Sequence, residues 1–73
     1  METIDLHGVK HEEVGSMLDA FIWDNMKRKT SAVKIITGNS EDMKKIVWDI
    51  ANEYNFLVDD SWTNTGVLIM NLI

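Results

Sequence analysis

Residues 32–40 read Ala32-Val33-Lys34-Ile35-Ile36-Thr37-Gly38-Asn39-Ser40, and the fold turns on how this stretch changes character at its glycine. Before Gly38 the β-branched residues Val33, Ile35, Ile36 and Thr37 favour an extended backbone, so residues 32–37 predict a strand. After it, apolar residues recur at Met43, Ile46, Val47, Ile50, Ala51 and Tyr54, the spacing of one face of an α-helix. Asn39 or Ser40 supplies a side-chain oxygen to cap that helix. Glu41 and Asp42 fall in its first turn, where negative charge suits the helix dipole. A strand therefore ends in a glycine turn and re-enters as a helix within three residues.

Working outward, the same alternation between periods repeats. Val14, Met17, Leu18, Phe21 and Ile22 form a second helical stripe, within a helix running from about residue 10 to about residue 28. Acids near its start and Lys27-Arg28-Lys29 at its end match its dipole. Residues 3–7 alternate and predict a first strand. Phe56-Leu57-Val58 predicts a third, Ser61 to Thr65 a polar turn, and Val67 to Ile73 a last strand opened by Gly66. The order is βαβαββ, an α/β pattern in which each βαβ unit crosses over right-handedly. The last strand is apolar at nearly every position, so it belongs in the interior of the sheet. Two helices cover one sheet face, and the open face is a candidate for homodimerisation.

Size and composition narrow the function. At 73 residues the chain makes one small domain, residues 1–73, and a chain this short buries only about 60% of its unfolded surface. It has no cysteine, which excludes disulfides and thiolate zinc sites. No apolar run approaches the roughly 20 residues that span a bilayer. Glu2 and Asp5 occupy the place of a basic leader region, so a cytoplasmic protein with no membrane partner is expected. Twelve acids against seven bases give a net charge of −5. Such a balance opposes approach to a polyanion except through a local cationic or backbone-amide site.

The chemistry-bearing residues gather at two strand-to-turn junctions. In Ile4-Asp5-Leu6-His7-Gly8, strand alternation projects Asp5 and His7 to one side, and Gly8 lets the chain turn. An acid beside an imidazole suits general acid–base work near neutral pH; a solvated Asp5 and a histidine packed at a turn explain the same residues. Thr37, Gly38, Asn39 and Ser40 offer backbone N–H groups, hydroxyls and a helix start, the makings of an anion site, and equally of an ordinary capped turn. If the two strands are parallel neighbours, both junctions open on one sheet edge. Lys10, Lys44 and Lys45 are placed to reach phosphate there, whereas Lys27-Arg28-Lys29 lies at the opposite edge. The loop lacks the spaced glycines and lysine of a P-loop.

His7, His11 and Glu12, with Asp5, Glu41 or Asp42, could hold a hard cation such as magnesium, although first-turn acids are sufficiently explained by the dipole. No other cofactor is expected. Trp23 and Trp48 lie beside the apolar stripes and are expected to fold back over the helix flanks. Trp62, in the polar turn, is left open between stacking and packing.

The order and spacing of Asp5-Leu6-His7-Gly8, a glutamate-bearing helix start, Ile35-Ile36-Thr37-Gly38 and the glycine opening the last strand resemble the small MutS-related (Smr) domain, from Thr3 to Leu72. The resemblance implies a two-layer sandwich with a four-stranded mixed sheet in the order 1-2-4-3, the last strand antiparallel, and two helices on one face. It implies nucleic-acid binding, since family members bind nucleic acid and several nick DNA or cleave RNA. The family's acid-x-histidine motif falls on Asp5 and His7, and its threonine-glycine-x-glycine motif on Thr37, Gly38, Asn39 and Ser40. Ser40 stands where the family has its second glycine, and Asn39 where lysine is frequent. The added Cβ narrows the approach of a phosphate, while serine suits a helix cap.

On this reading His7 is the general base or acid, oriented by Asp5. Gly8, Lys10, Thr37, Gly38, Asn39, Ser40 and Lys44 line the phosphate site. RNA is favoured over DNA, because its 2′-hydroxyl gives an imidazole a proton to remove without a metal. The rival class is a non-catalytic module for protein binding or self-association, which the acidic balance and Ser40 favour.

Overall fold

The structure, a computed structural model, describes residues 1–60 and 66–72. The expected turn at 61–65, with Trp62, and the end of the last strand at Ile73 lie outside the described residues. The elements are β1 (Glu2–Asp5), α1 (His11–Lys27), β2 (Ala32–Ile36), α2 (Glu41–Tyr54), β3 (Leu57–Asp60) and β4 (Val67–Asn71). They form one four-stranded sheet in the order β1-β2-β4-β3. β1 runs parallel to β2, and β4 is antiparallel to both β2 and β3. The expected mixed sheet, with the last strand inside it, is therefore the observed one.

The core lies between the sheet and the helices. Val33 and Ile35 of β2 and Leu68 and Met70 of β4 are fully buried, facing Val14, Leu18 and Ile22 of α1 and Val47 and Ala51 of α2. Burying each aliphatic side chain is worth about 1.5–3 kcal/mol, which makes this layer the main source of stability. The α1 stripe differs from expectation at Met17, which is 40% exposed. The stripe instead continues to Asn25, which is buried and donates through its amide to the Phe21 carbonyl at 2.9 Å.

Trp23 is 56% and Trp48 40% exposed, and the Trp23 side chain hydrogen-bonds that of Tyr54 on α2, in keeping with an indole lying along the helix flank.

The helix ends are tied down locally. The αL conformation of Asn55 (φ 61°) terminates α2, its N–H donating to the carbonyls of Ala51 and Asn52. Tyr54 stacks on Phe56, with ring centroids 5.3 Å apart, and donates its phenol to Asp19 of α1 at 3.1 Å. Burial, and then that hydrogen bond, raise its pKa above the ordinary phenol range. Arg28 donates to Glu2 at 3.1 Å and Asp24 at 2.6 Å, fastening the end of α1 to β1; these hydrogen bonds raise its pKa further.

No helix among the described residues is long and apolar enough to cross a membrane.

Candidate functional site

β1 and β2 are in parallel register, Asp5 beside Ile36, so both chains leave the sheet at the same edge. β1 ends at Asp5, two residues earlier than the alternation suggests, and His7 is carried by a turn rather than by the strand. The last sheet-like bond is Leu6 N–H to the Ile36 carbonyl, 2.8 Å. The chain then reverses from Leu6 to Val9, with Val9 N–H donating to the Leu6 carbonyl at 3.0 Å. Gly8 sits at the third position of this turn with φ +81°, where a turn of this hand calls for glycine. Leu6 is buried, whereas Asp5 and His7 are exposed. The hydrophobic anchor at Leu6 thus fixes the turn and leaves the imidazole at the surface.

The role expected of Asp5 changes with this geometry. Its carboxylate accepts the main-chain N–H of His7 at 2.9 Å, and no hydrogen bond joins it to the imidazole among the described residues. Asp5 shapes the turn that carries the ring. Asp5→Asn, which keeps an acceptor oxygen, is accordingly expected to preserve fold and activity. Asp5→Ala leaves the N–H to water and costs at most about 1 kcal/mol, read by thermal melting. An Asp5→Asn variant as inactive as a His7 variant would show instead that the charge itself is required.

On the neighbouring strand, Thr37 is buried and its N–H donates to the Gly66 carbonyl at 2.8 Å. Gly38 N–H reaches the same oxygen at 3.1 Å. The Thr37 hydroxyl lies 2.9 Å from the Gly38 carbonyl and 3.3 Å from that of Gly66. The Thr37 hydroxyl and the Gly38 amide were expected to face a phosphate; instead both are spent on anchoring the loop to the start of β4. Gly66 is the residue that sequence reasoning undervalued. Its glycine just before an apolar run signals a strand start, but the convergence of these donors on its carbonyl depends on strand order.

The two junctions meet at Gly38. Its φ is +68°, and a Cβ built there would lie 2.7 Å from Cδ2 of His7, 3.6 Å from Cγ and 3.7 Å from Nε2. The imidazole therefore rests against the glycine backbone, and any side chain at 38 would displace it. Beyond Gly38 the chain passes through exposed Asn39 to Ser40, whose Oγ accepts Met43 N–H at 3.1 Å as the cap of α2. The cap satisfies one of the unpaired donors at the helix start and leaves those of Glu41 and Asp42 without an acceptor among the described residues. These amides carry the positive end of the helix dipole, partly offset by the Glu41 and Asp42 carboxylates.

The lysines divide. Lys44 is half-buried on α2 and lies 3.8 Å from the exposed Glu41 carboxylate. Lys10 is exposed at the start of α1, where its side chain makes no capping bond. Among the described residues no three His, Asp or Glu side chains form a group that could hold a metal ion.

What the site joins is an imidazole, a glycine backbone and a capped helix start. An imidazole moves protons; a helix start attracts anions. The Smr domain family model matches residues 4–69. The crystal structure of the Smr domain of Thermus thermophilus MutS2 is similar to this fold, with a TM-score of 0.90 at 14% sequence identity, over 100% of this chain and 99% of that one. No curated protein matches the sequence.

Proposed function

This chain belongs to the Smr domain family, and from that membership we propose that it binds nucleic acid at the His7–Gly38 edge and cleaves RNA there. The observation that supports this reading is the contact of the imidazole with Gly38, which sets a proton-transfer group beside the start of α2. In the proposed reaction His7 removes the proton of a 2′-hydroxyl, and the resulting oxygen attacks the adjacent phosphorus. The bond from phosphorus to the 5′-oxygen breaks, and that oxygen takes up a proton as it leaves. The products are a 2′,3′-cyclic phosphate and a 5′-hydroxyl. The amides of Ser40, Glu41 and Asp42 face the charge that develops on the phosphate, with Lys10 and Lys44 as side-chain contacts at the rim.

The test compares labelled single-stranded RNA and DNA of one sequence, with binding measured from 50 to 200 mM salt. Binding through phosphate is expected to weaken with salt along a linear log–log slope, since each neutralised phosphate releases counterions. Cleavage is expected for RNA only. Salt-independent binding, or equal cleavage of DNA, contradicts the proposal.

A second reading, self-association through the open sheet face, is favoured by one cross-strand row. Thr3, Lys34, Ile69 and Asp59 lie side by side on β1, β2, β4 and β3. A two-fold axis along β4 would set Ile69 against its copy and Lys34 against Asp59 of the other chain, twice, which is the self-complementarity a closed dimer requires. Sedimentation equilibrium of the wild type beside Ile69→Glu decides it. A monomer in both removes this reading.

A further inference from the structure

The exposed side of α2 carries a feature that cleavage at His7 uses only at its near end, through Lys44 and the Glu41 amide; Lys45 and Trp48 have no part in that step. Glu41, Lys44, Lys45 and Trp48 line a shallow surface groove, and their spacing of three, four and seven residues places them on one stripe of the helix. Trp48 is 40% exposed. The stripe begins at the helix start, beside the His7–Gly38 contact, and reaches Trp48 about 10 Å further along the axis.

We propose that this groove is a single-stranded nucleic-acid subsite, in which a base stacks on the Trp48 indole and Lys44 and Lys45 hold the flanking phosphates. The inference rests on the reading of the His7 edge as a nucleic-acid site and adds to it the path by which an unpaired strand arrives.

Charge and exposure favour this occupant. The net charge of the chain is −5, so a polyanion requires a local cationic track, and two adjacent lysines beside an open aromatic face supply one. Glu41 is the opposing charge in the groove. Its pair with Lys44 is long, 3.8 Å; the Lys44 side chain is 17% exposed and that of Glu41 89%. With Glu41 so exposed, its carboxylate is free to swing into water and leave the Lys44 ammonium to a phosphate. A base needs a flat, accessible aromatic face, and every base has one to offer, so the groove is tolerant of sequence. It is selective for strands whose bases are unpaired.

The test measures the binding of a fluorescein-labelled ten-nucleotide 2′-O-methyl RNA, which has no free 2′-hydroxyl, and of the same strand in a duplex. Trp48→Ala is expected to weaken single-strand binding about tenfold, within the range found for base–aromatic stacking, and Trp48→Phe to restore most of it. Duplex binding is expected to change less than twofold. Lys45→Ala should lower the salt slope by about one. Trp23→Ala, which removes an exposed indole from α1, is the control for a general loss of aromatic surface. If the wild type binds the single strand and Trp48→Ala binds it equally well, this inference alone falls. Equal losses on single strand and duplex assign Trp48 a packing role and overturn it as well. If the wild type binds neither form, the reading of the His7 edge falls and this one with it.

Discussion

His7→Ala should lower the rate of RNA cleavage by at least about a hundredfold, the usual contribution of a positioned general acid or base. The fold should survive, because the imidazole is exposed and stands on a turn held by other groups. The buried Leu6 side chain, the Leu6–Ile36 hydrogen bond and the Val9–Leu6 hydrogen bond all remain in the variant. Its melting temperature should therefore stay close to that of the wild type, which separates a lost proton-transfer group from a lost structure. His7→Gln sharpens the result. It keeps hydrogen-bonding capacity at 7 and cannot exchange a proton, so it should be as inactive as the alanine variant. Cleavage by His7→Ala at the wild-type rate would remove His7 from the chemistry.

Gly38→Ala should be the most disruptive single substitution in the site, for two separable reasons. The first concerns the backbone. At φ +68° an alanine sits in the left-handed region, at a cost of about 1–2 kcal/mol in stability. The second concerns the ring, because the new methyl would lie 2.7 Å from His7 Cδ2. Since His7 is exposed, the imidazole swings aside at little cost to folding, and the consequence falls on activity.

Gly8→Ala separates the two effects. Gly8 has φ +81°, and a Cβ there meets nothing within 4 Å. It should lose comparable stability and far less of the cleavage rate. Thermal melting and single-turnover cleavage of both variants check this. Equal activity losses in the two would mean that backbone strain alone, and not the contact of position 38 with the imidazole, disables the site.

The sequence makes the architecture legible because its helices are written in clean periods. The spacing from Met43 to Tyr54 survives folding, with Met43, Val47 and Ala51 buried and Ile46, Ile50 and Tyr54 packed at the margin. A last strand apolar at nearly every position belongs inside the sheet, and β4 lies between β2 and β3.

Where pattern misled, the backbone had already changed while the polarity had not. Leu6 continues the alternation of Ile4, yet it is buried as part of a turn, so the strand was expected to reach 7 when it stops at Asp5. That both junctions open on one sheet edge was expected if the two strands were parallel neighbours, and they are; the contact of His7 with Gly38 is an addition that the structure makes. The inward commitment of Thr37 and Gly38 to Gly66 is a contact between residues almost thirty positions apart, and no local spacing encodes it. Trp48 shows the complementary limit. Its position beside the stripe says that it is off the core, but not that it shares a groove with Lys44 and Lys45.

The most direct measurement is an NMR titration of the isotope-labelled protein with a 2′-O-methyl RNA strand, following the His7 ring and the backbone amides together. The imidazole signals and the amides of Ser40, Glu41 and Asp42 should shift in concert and saturate with one dissociation constant. Shifts confined to the open sheet face around Lys34, Ile69 and Asp59, with His7 and the start of α2 silent, would contradict a common binding edge.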